Sequence, residues 1–323
     1  MMRGSLGKLA IFLLVLFLAV GCSSGNNTGT GGPQDSQKIF IGSMTIEENL
    51  PVLVAQEKGY FAEENVEVEL VTFQSPVELQ SAFQTGELDG AITDIMIAAL
   101  LKSSGEDLKV TSIALGATPE EGRFAIIASP NSDISSIQEL KGKSIGISNN
   151  SIIEYVTDKL LLAGGVEPSE VEKTTVAKLP LRVEMLLNSQ IDAIVVPDPQ
   201  ITYVVSQGAK IIADDSQGAN LSQSVMILQE NTINEKKEAL TSFYRAYTKG
   251  VQAINNNPDE FKNLLVSNVN IPESIVDIYA VQHYSEPQLP QEKDVEPVLE
   301  WLESKGLLQN KVNYGDFVYG ELY

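Results

Sequence analysis

From Lys38 onward, apolar and polar positions follow two alternating rhythms. KIFIGSM (38–44) is apolar and β-branched and ends in small polar residues, as a strand does. ENLPVLVAQEKGYFAEEN (48–65) carries apolar positions at helical spacing before Gly59. VEVELVTF (66–73) alternates and predicts a second strand. SPVELQSAFQTG (75–86) has Ser75 at the N-cap position, Pro76 at the first helical position and Glu78 three residues on, which starts a helix. The GAIT strand (90–93) and the DIMIAALLKSSG helix (94–105) complete a β-α-β-α-β-α order, and KVTSIALG (109–116) adds another strand. Such alternation predicts a parallel sheet with helices on its faces.

The pattern restarts at Arg123. RFAIIAS (123–129), GKSIGIS (142–148), VEKTTV (171–176), IDAIVV (191–196) and AKIIAD (209–214) read as strands. Between them NNSIIEYVTDKLLLAGG, LPLRVEMLLNSQ and DPQITYVVSQG read as helices. From SQSVMILQE (222–230) the chain turns mostly helical, through NEKKEALTSFYRAYTKGVQAINN, PDEFKNLLVSN, PESIVDIYAVQHY and EKDVEPVLEWLESKG. These helices are expected to return and cover the first lobe.

Two stretches repeat one another, FQTGELDGAITDIM (83–96) and LLNSQIDAIVVPDP (186–199). Each runs from a polar turn through an apolar residue and an aspartate (Asp89 or Asp192) into a short strand, then stops at a second aspartate, Asp94 or Asp198. The central aspartates are 103 positions apart (192 minus 89), too far for a stacked solenoid repeat. Two similar α/β lobes explain the spacing: residues 38–122 with 229–323, and residues 123–228. Hinge crossings are expected near 123–128 and 223–229.

The first residues are set apart. MMRGSLGK supplies Arg3 and Lys8, and LAIFLLVLFLAV (9–20) is a continuous apolar run ending at Gly21-Cys22. A basic start, a short apolar core and small residues describe an export signal over residues 1–21, and the run is short for a membrane span. Residues 22–37 hold Cys22 and SSGNNTGTGGPQDSQ, a flexible tether. Cys22 is the only cysteine, so the body has no disulfide framework and no thiolate chemistry. With 43 acidic and 22 basic residues the chain carries −21, and −23 without Arg3 and Lys8, which argues against a nucleic-acid partner.

Ligands of α/β sheets collect where strands end and helices begin. Those ends offer Ser43, Thr45, Ser75, Thr93 and Asp94 in the first lobe, and Asn149, Asn150, Ser151 and Asp198 in the second. Each residue alone is an ordinary helix cap; as a set converging from two lobes they read as ligand-binding. Met44 reads as filler at the cleft mouth. The glutamate doublets at 47–48, 63–64 and 120–121 read as solvated faces. His283, the only histidine, falls in an expected surface helix. No catalytic residue, metal site or cofactor is expected, because there is no Cys/His cluster and no Gly-rich phosphate loop. Arg123, Arg182 and Arg245 lie outside the candidate loops, so two cleft aspartates favour a ligand with N–H donors or positive charge. Helix N-termini can also hold an anion, which leaves a sulfonate open.

Two resemblances sharpen the reading. AVGC (19–22) resembles the lipobox of bacterial lipoproteins, with Ala19 where leucine is usual. It implies a lipidated Cys22, palmitate among its acyl chains, and anchorage on the outer face of the cell membrane. LPVLVAQEKGYFAEENVEVELVTFQSPVELQSAFQTGELDGAITD, with ELKGKSIGISNNS and IDAIVVPDP, resembles the solute-binding proteins of bacterial ABC importers. The subgroup is the one that takes sulfonates, taurine, nitrate or thiamine-pyrimidine precursors. The resemblance implies an α/β, type II periplasmic-binding-protein fold: two lobes, each a mainly parallel sheet flanked by helices, joined by a two-strand hinge. It further implies a monomer that is not an enzyme, with a small-molecule ligand, an ABC permease and its ATPase as partners. The two aspartates favour a nitrogen heterocycle such as a thiamine pyrimidine precursor. Fungal pyrimidine-precursor synthases share the fold family but depend on histidine and cysteine residues that this chain does not supply. A lipid-anchored ligand sensor fits the same residues.

Overall fold

The structure, a computed structural model, describes residues 38–218 and 221–323. The export segment, Cys22 and the tether lie outside these residues. Among the described residues no helix is long and apolar enough to cross a membrane.

The strands in chain order are β1 (Lys38–Met44), β2 (Glu67–Phe73), β3 (Gly90–Asp94), β4 (Leu108–Leu115) and β5 (Phe124–Ala128). They continue as β6 (Ser144–Ile147), β7 (Glu172–Thr175), β8 (Ala193–Pro197), β9 (Lys210–Asp214) and β10 (Ser224–Gln229). Helices α1 (Leu50–Glu57), α2 (Tyr60–Glu63), α3 (Pro76–Gln84) and α4 (Ile95–Ser103) flank the first strands. Helices α5 (Ile152–Ala163), α6 (Leu179–Leu187) and α7 (Gln200–Ser206) follow in the second half. The C-terminal set is α8 (Glu230–Glu235), α9 (Lys237–Asn256), α10 (Lys262–Asn268), α11 (Glu292–Ser304) and α12 (Tyr314–Phe317).

The strands form two five-stranded sheets, ordered β2-β1-β3-β10-β4 and β7-β6-β8-β5-β9. In each sheet a single strand runs against the rest: β10 between β3 and β4, and β5 between β8 and β9. These are the two strands laid down as the chain crosses from one sheet to the other. A reversed strand begins where its neighbours end. Ser224 therefore pairs with Asp94 and Leu115, and Phe124 with Pro197, so both crossings open at the carboxyl ends of the parallel strands. Ser224–Gln229 belongs to the first sheet, and the last strand of the second sheet stops at Asp214.

The repeated aspartates have a structural job in each lobe. Asp89 accepts the backbone N–H of Phe40 in β1 at 2.9 Å, and Asp192 accepts that of Ser144 in β6 at 2.9 Å. Each carboxylate thus ties the start of one strand to the neighbouring parallel strand. Charge-assisted bonds of this kind are stronger than neutral ones.

Packing follows the helical periodicity. Leu240, Phe243, Tyr244, Tyr247, Val251 and Ile254 of α9 form one buried face at three- and four-residue spacing. That face lies against α1 and α2, where Phe61 stacks on Phe243 with ring centroids 5.7 Å apart. Burying each such side chain contributes roughly 1.5–3 kcal/mol. Another apolar cluster is continuous through both lobes, from Phe83, Ile95 and Met96 to Ile126, Ile145 and Val156, and it includes Val298 and Leu302 of α11.

PESIVDIYAVQHY departs from expectation. Only Glu273–Ile275 makes a helical turn, and no regular element spans Tyr279–Pro290. Tertiary anchors override its helical spacing. The hydroxyl of Tyr284 donates to the Glu47 carbonyl at 2.8 Å, and the Ile113 N–H donates to the Gln288 carbonyl at 2.8 Å. His283 sits on this irregular segment instead of a helix, its side chain 60% exposed and its Nδ1 3.5 Å from Glu121.

Candidate ligand cleft

The carboxyl ends of the two sheets enclose a cavity of about 480 Å³. Its walls are largely apolar: Leu79 and Phe83 from α3, Ile97 and Leu101 from α4, Phe124 at the first crossing, Ile152 from α5, and Leu179-Pro180 at the start of α6. Polar groups enter from both lobes and both crossings.

Of the residues singled out from sequence, Thr45, Thr93, Asp94 and Asp198 border the cavity, and Met44 does too. Ser43 does not: it is fully buried, and among the described residues its hydroxyl has no hydrogen-bond partner. Ser75 caps α3, accepting the Glu78 N–H at 3.3 Å, and the next residue, Pro76, reaches the cavity instead. Asn149, Asn150 and Ser151 also stay off its surface. Asn150 holds a left-handed turn (φ 55) and donates its N–H to Glu154, while Ser151 accepts from the Ile153 N–H at 3.3 Å. Their local duty as caps presents Ile152 to the cleft.

Sequence reasoning missed Glu47, Glu48, Glu121, Arg123, Ser222 and Ser224, all of which border the cavity. The solvated-face reading is corrected for Glu47, Glu48 and Glu121, while Glu120 is exposed as expected. Glu47 is 7% exposed and Glu121 fully buried. It holds for Glu63 and Glu64, which pair with Lys249 and Arg245 at the surface. The available signal was position: Glu47 and Glu48 follow directly on the first strand's end loop.

Charge is unevenly compensated here. Arg123 donates from Nε and Nη2 to Oδ2 of Asp198, at 3.0 and 2.7 Å, and the Thr202 N–H and hydroxyl fill Oδ1 at 2.9 and 2.7 Å. Glu47 accepts the Tyr279 hydroxyl at 2.7 Å, and Glu48 accepts the Ser224 hydroxyl at 2.6 Å. Asp94 caps α4 through the Ile97 N–H at 2.9 Å. Among the described residues no cation lies within ion-pair distance of Glu47, Glu48 or Asp94. Burial, and then the charge of Glu48, push Glu47 up to about 8. Burial likewise raises Asp94 to about 6 and lifts Glu48 above the ordinary range. Crowded carboxylates in a partly dry site repel until a donor or cation joins them. Among the described residues no group of three His, Cys, Asp or Glu side chains is placed to hold a metal.

Two mixed five-stranded sheets, each flanked by helices and facing a shared cleft, define the two-lobed periplasmic-binding-protein fold. Residues 47–261 match the family described as NMT1/THI5 like, and the chain belongs to that family. It is 25% identical over 268 residues to the formylaminopyrimidine-binding protein of Halalkalibacterium halodurans, covering 80% of this chain and 78% of that one. Solved structures share the fold. The ligand-binding component of an ABC-type import system from Staphylococcus aureus has a TM-score of 0.72 at 17% identity, covering 89% of this chain and 98% of that one. The periplasmic aliphatic sulphonate binding protein SsuA from Escherichia coli has a TM-score of 0.72 at 16% identity, covering 87% and 92%.

Proposed function

We propose that this chain is an exported, lipid-anchored solute-binding protein that holds a small nitrogen heterocycle in the cleft and delivers it to an ABC permease and its ATPase. The ligand class is that of the thiamine pyrimidine precursors. One observation carries the reading: Glu47, Glu48 and Asp94 meet an apolar cavity whose lining arginine, Arg123, is already paired with Asp198. A flat heterocycle would lay its faces against Phe83, Ile97 and Phe124 and offer ring or amino N–H groups to the carboxylates. A sulfonate would meet the like charge of Asp94, which ionises above about 6, and Arg123 is already engaged by Asp198. Similarity to a formylaminopyrimidine-binding protein over 80% of the chain supports binding as the role, without catalysis.

Closure follows from differential affinity. A ligand that bridges carboxylates from the first sheet to groups on the second lobe stabilises the closed form more than the open one.

Isothermal titration of the full-length protein with 4-amino-5-hydroxymethyl-2-methylpyrimidine and with taurine tests the reading. Saturable binding of the pyrimidine and none of taurine is expected. Binding of taurine alone overturns it.

A further inference from the structure

Helix α11 of the first lobe takes hold of the second lobe. Helix α11 packs on α4 of the first lobe. Its last turn presents Trp301, whose indole Nε1 donates to Oδ2 of Asp158 at 3.1 Å and whose ring meets Tyr155 edge-on, centroids 5.8 Å apart. Just beyond the helix, Lys305 donates to Oε1 of Glu154 at 2.8 Å and lies 3.8 Å from Oδ2 of Asp158. Tyr155, Glu154 and Asp158 are all buried and all belong to α5 of the second lobe.

Glu154 faces two ways. Its other oxygen, Oε2, accepts the N–H of Asn150 at 2.8 Å, in the turn that presents Ile152 to the cleft. A single carboxylate therefore joins the cleft turn of one lobe to the end of α11 from the other. Lys173 of β7 reaches both Glu154 and Asp158 from within the second lobe.

We propose that Trp301 and Lys305, closed on Glu154 and Asp158, form a clasp between the lobes whose release accompanies opening of the cleft. The proposal rests on reading the cavity as the ligand site. A buried carboxylate stripped of every cation is strongly unfavourable. Here Lys173 stays with both acids when Lys305 withdraws, so release costs the ion pairs of Lys305 with Glu154 and Asp158, one indole hydrogen bond and the cover over a tryptophan ring. That combination suits two alternative arrangements, because neither leaves a bare buried charge.

Trp301 is the only tryptophan of the chain, so the emission of the full-length, ligand-free protein reports the clasp directly. Lys305→Met keeps the aliphatic stem and removes the charge; Lys305→Arg restores it. In Lys305→Met, acrylamide quenching of Trp301 should rise, with a red shift of its emission. Amides of residues 93–97 and 197–202, at the cleft on opposite lobes, should exchange with deuterium roughly three-fold faster or more. Lys305→Arg should return both toward wild type. Should Lys305→Met leave the exchange at 93–97 and 197–202 unchanged, whether or not quenching changes, the clasp is overturned, because the helix end is then only a local contact. None of these readouts uses ligand, so the clasp and the pyrimidine reading fail separately.

Discussion

Arg123 turns two nitrogens on one oxygen of Asp198, Nε at 3.0 Å and Nη2 at 2.7 Å, while Thr202 fills the other oxygen. Asp198 is thereby saturated by the protein. It neutralises the crossing arginine, and the open acceptors of the cleft are Glu47, Glu48 and Asp94. From sequence alone Asp198 reads as a charge offered to the ligand; the pairing changes what its removal should do.

Asp198→Asn leaves the guanidinium beside the cleft without its carboxylate. The ligand-free protein should lose about 1–3 kcal/mol, less than for a fully buried pair because Arg123 keeps some solvent contact. The variant should also gain measurable affinity for taurine. Urea denaturation and titration calorimetry check the two effects.

Glu47→Gln removes a buried charge that burial already disfavours. Ligand-free stability at pH 8 should rise, whereas pyrimidine affinity should weaken by roughly 1.5–3 kcal/mol, the range for a hydrogen bond to a charged group. A variant that binds as tightly as wild type would remove Glu47 from the ligand's contacts.

The pH dependence has a definite sign. Burial holds Asp94 at about 6 and Glu47 at about 8, both raised over the unfolded range. The folded state keeps these protons longer, so their stabilising effect is full below the ordinary carboxylate range. It is lost as pH rises through about 6 and then about 8. Glu64 is held low by Lys249 and Arg245 and loses its contribution only as pH falls, below that window. Thermal melts of the ligand-free protein should therefore drop by several degrees between pH 5 and 8.5, with a flatter profile in Glu47→Gln.

Cys22→Ala should move the protein from the membrane fraction to the soluble fraction. Cell fractionation followed by immunoblotting checks it; retention on the membrane would leave the lipid anchor unsupported.

Much of the architecture was legible because local signals agreed with tertiary ones. Ser75-Pro76 starts α3 where capping chemistry says it should, and the Asp89 and Asp192 repeat marks the same strand-to-strand tie in each lobe. The cleft was half legible. Asp94 and Asp198 stand at strand ends, where ligands gather, but Ser75 and Ser151 show that a cap can be no more than a cap. Glu47-Glu48 and Glu63-Glu64 are the same dipeptide with opposite fates. Distant residues decide which is buried, Tyr279 and Ser224 for one pair and Lys249 and Arg245 for the other. The segment after Ile275 carries helical spacing yet stays irregular, since its tyrosines and backbone are fixed to the first lobe. Long-range partners of this kind leave no local trace.

The central claim is that this cleft holds a donor-bearing nitrogen heterocycle. Mass spectrometry of the small molecule released when the purified full-length protein is denatured tests it most directly. The account predicts a stoichiometric aminopyrimidine or related protonatable heterocycle. A sulfonate or other strong anion in that fraction would contradict it.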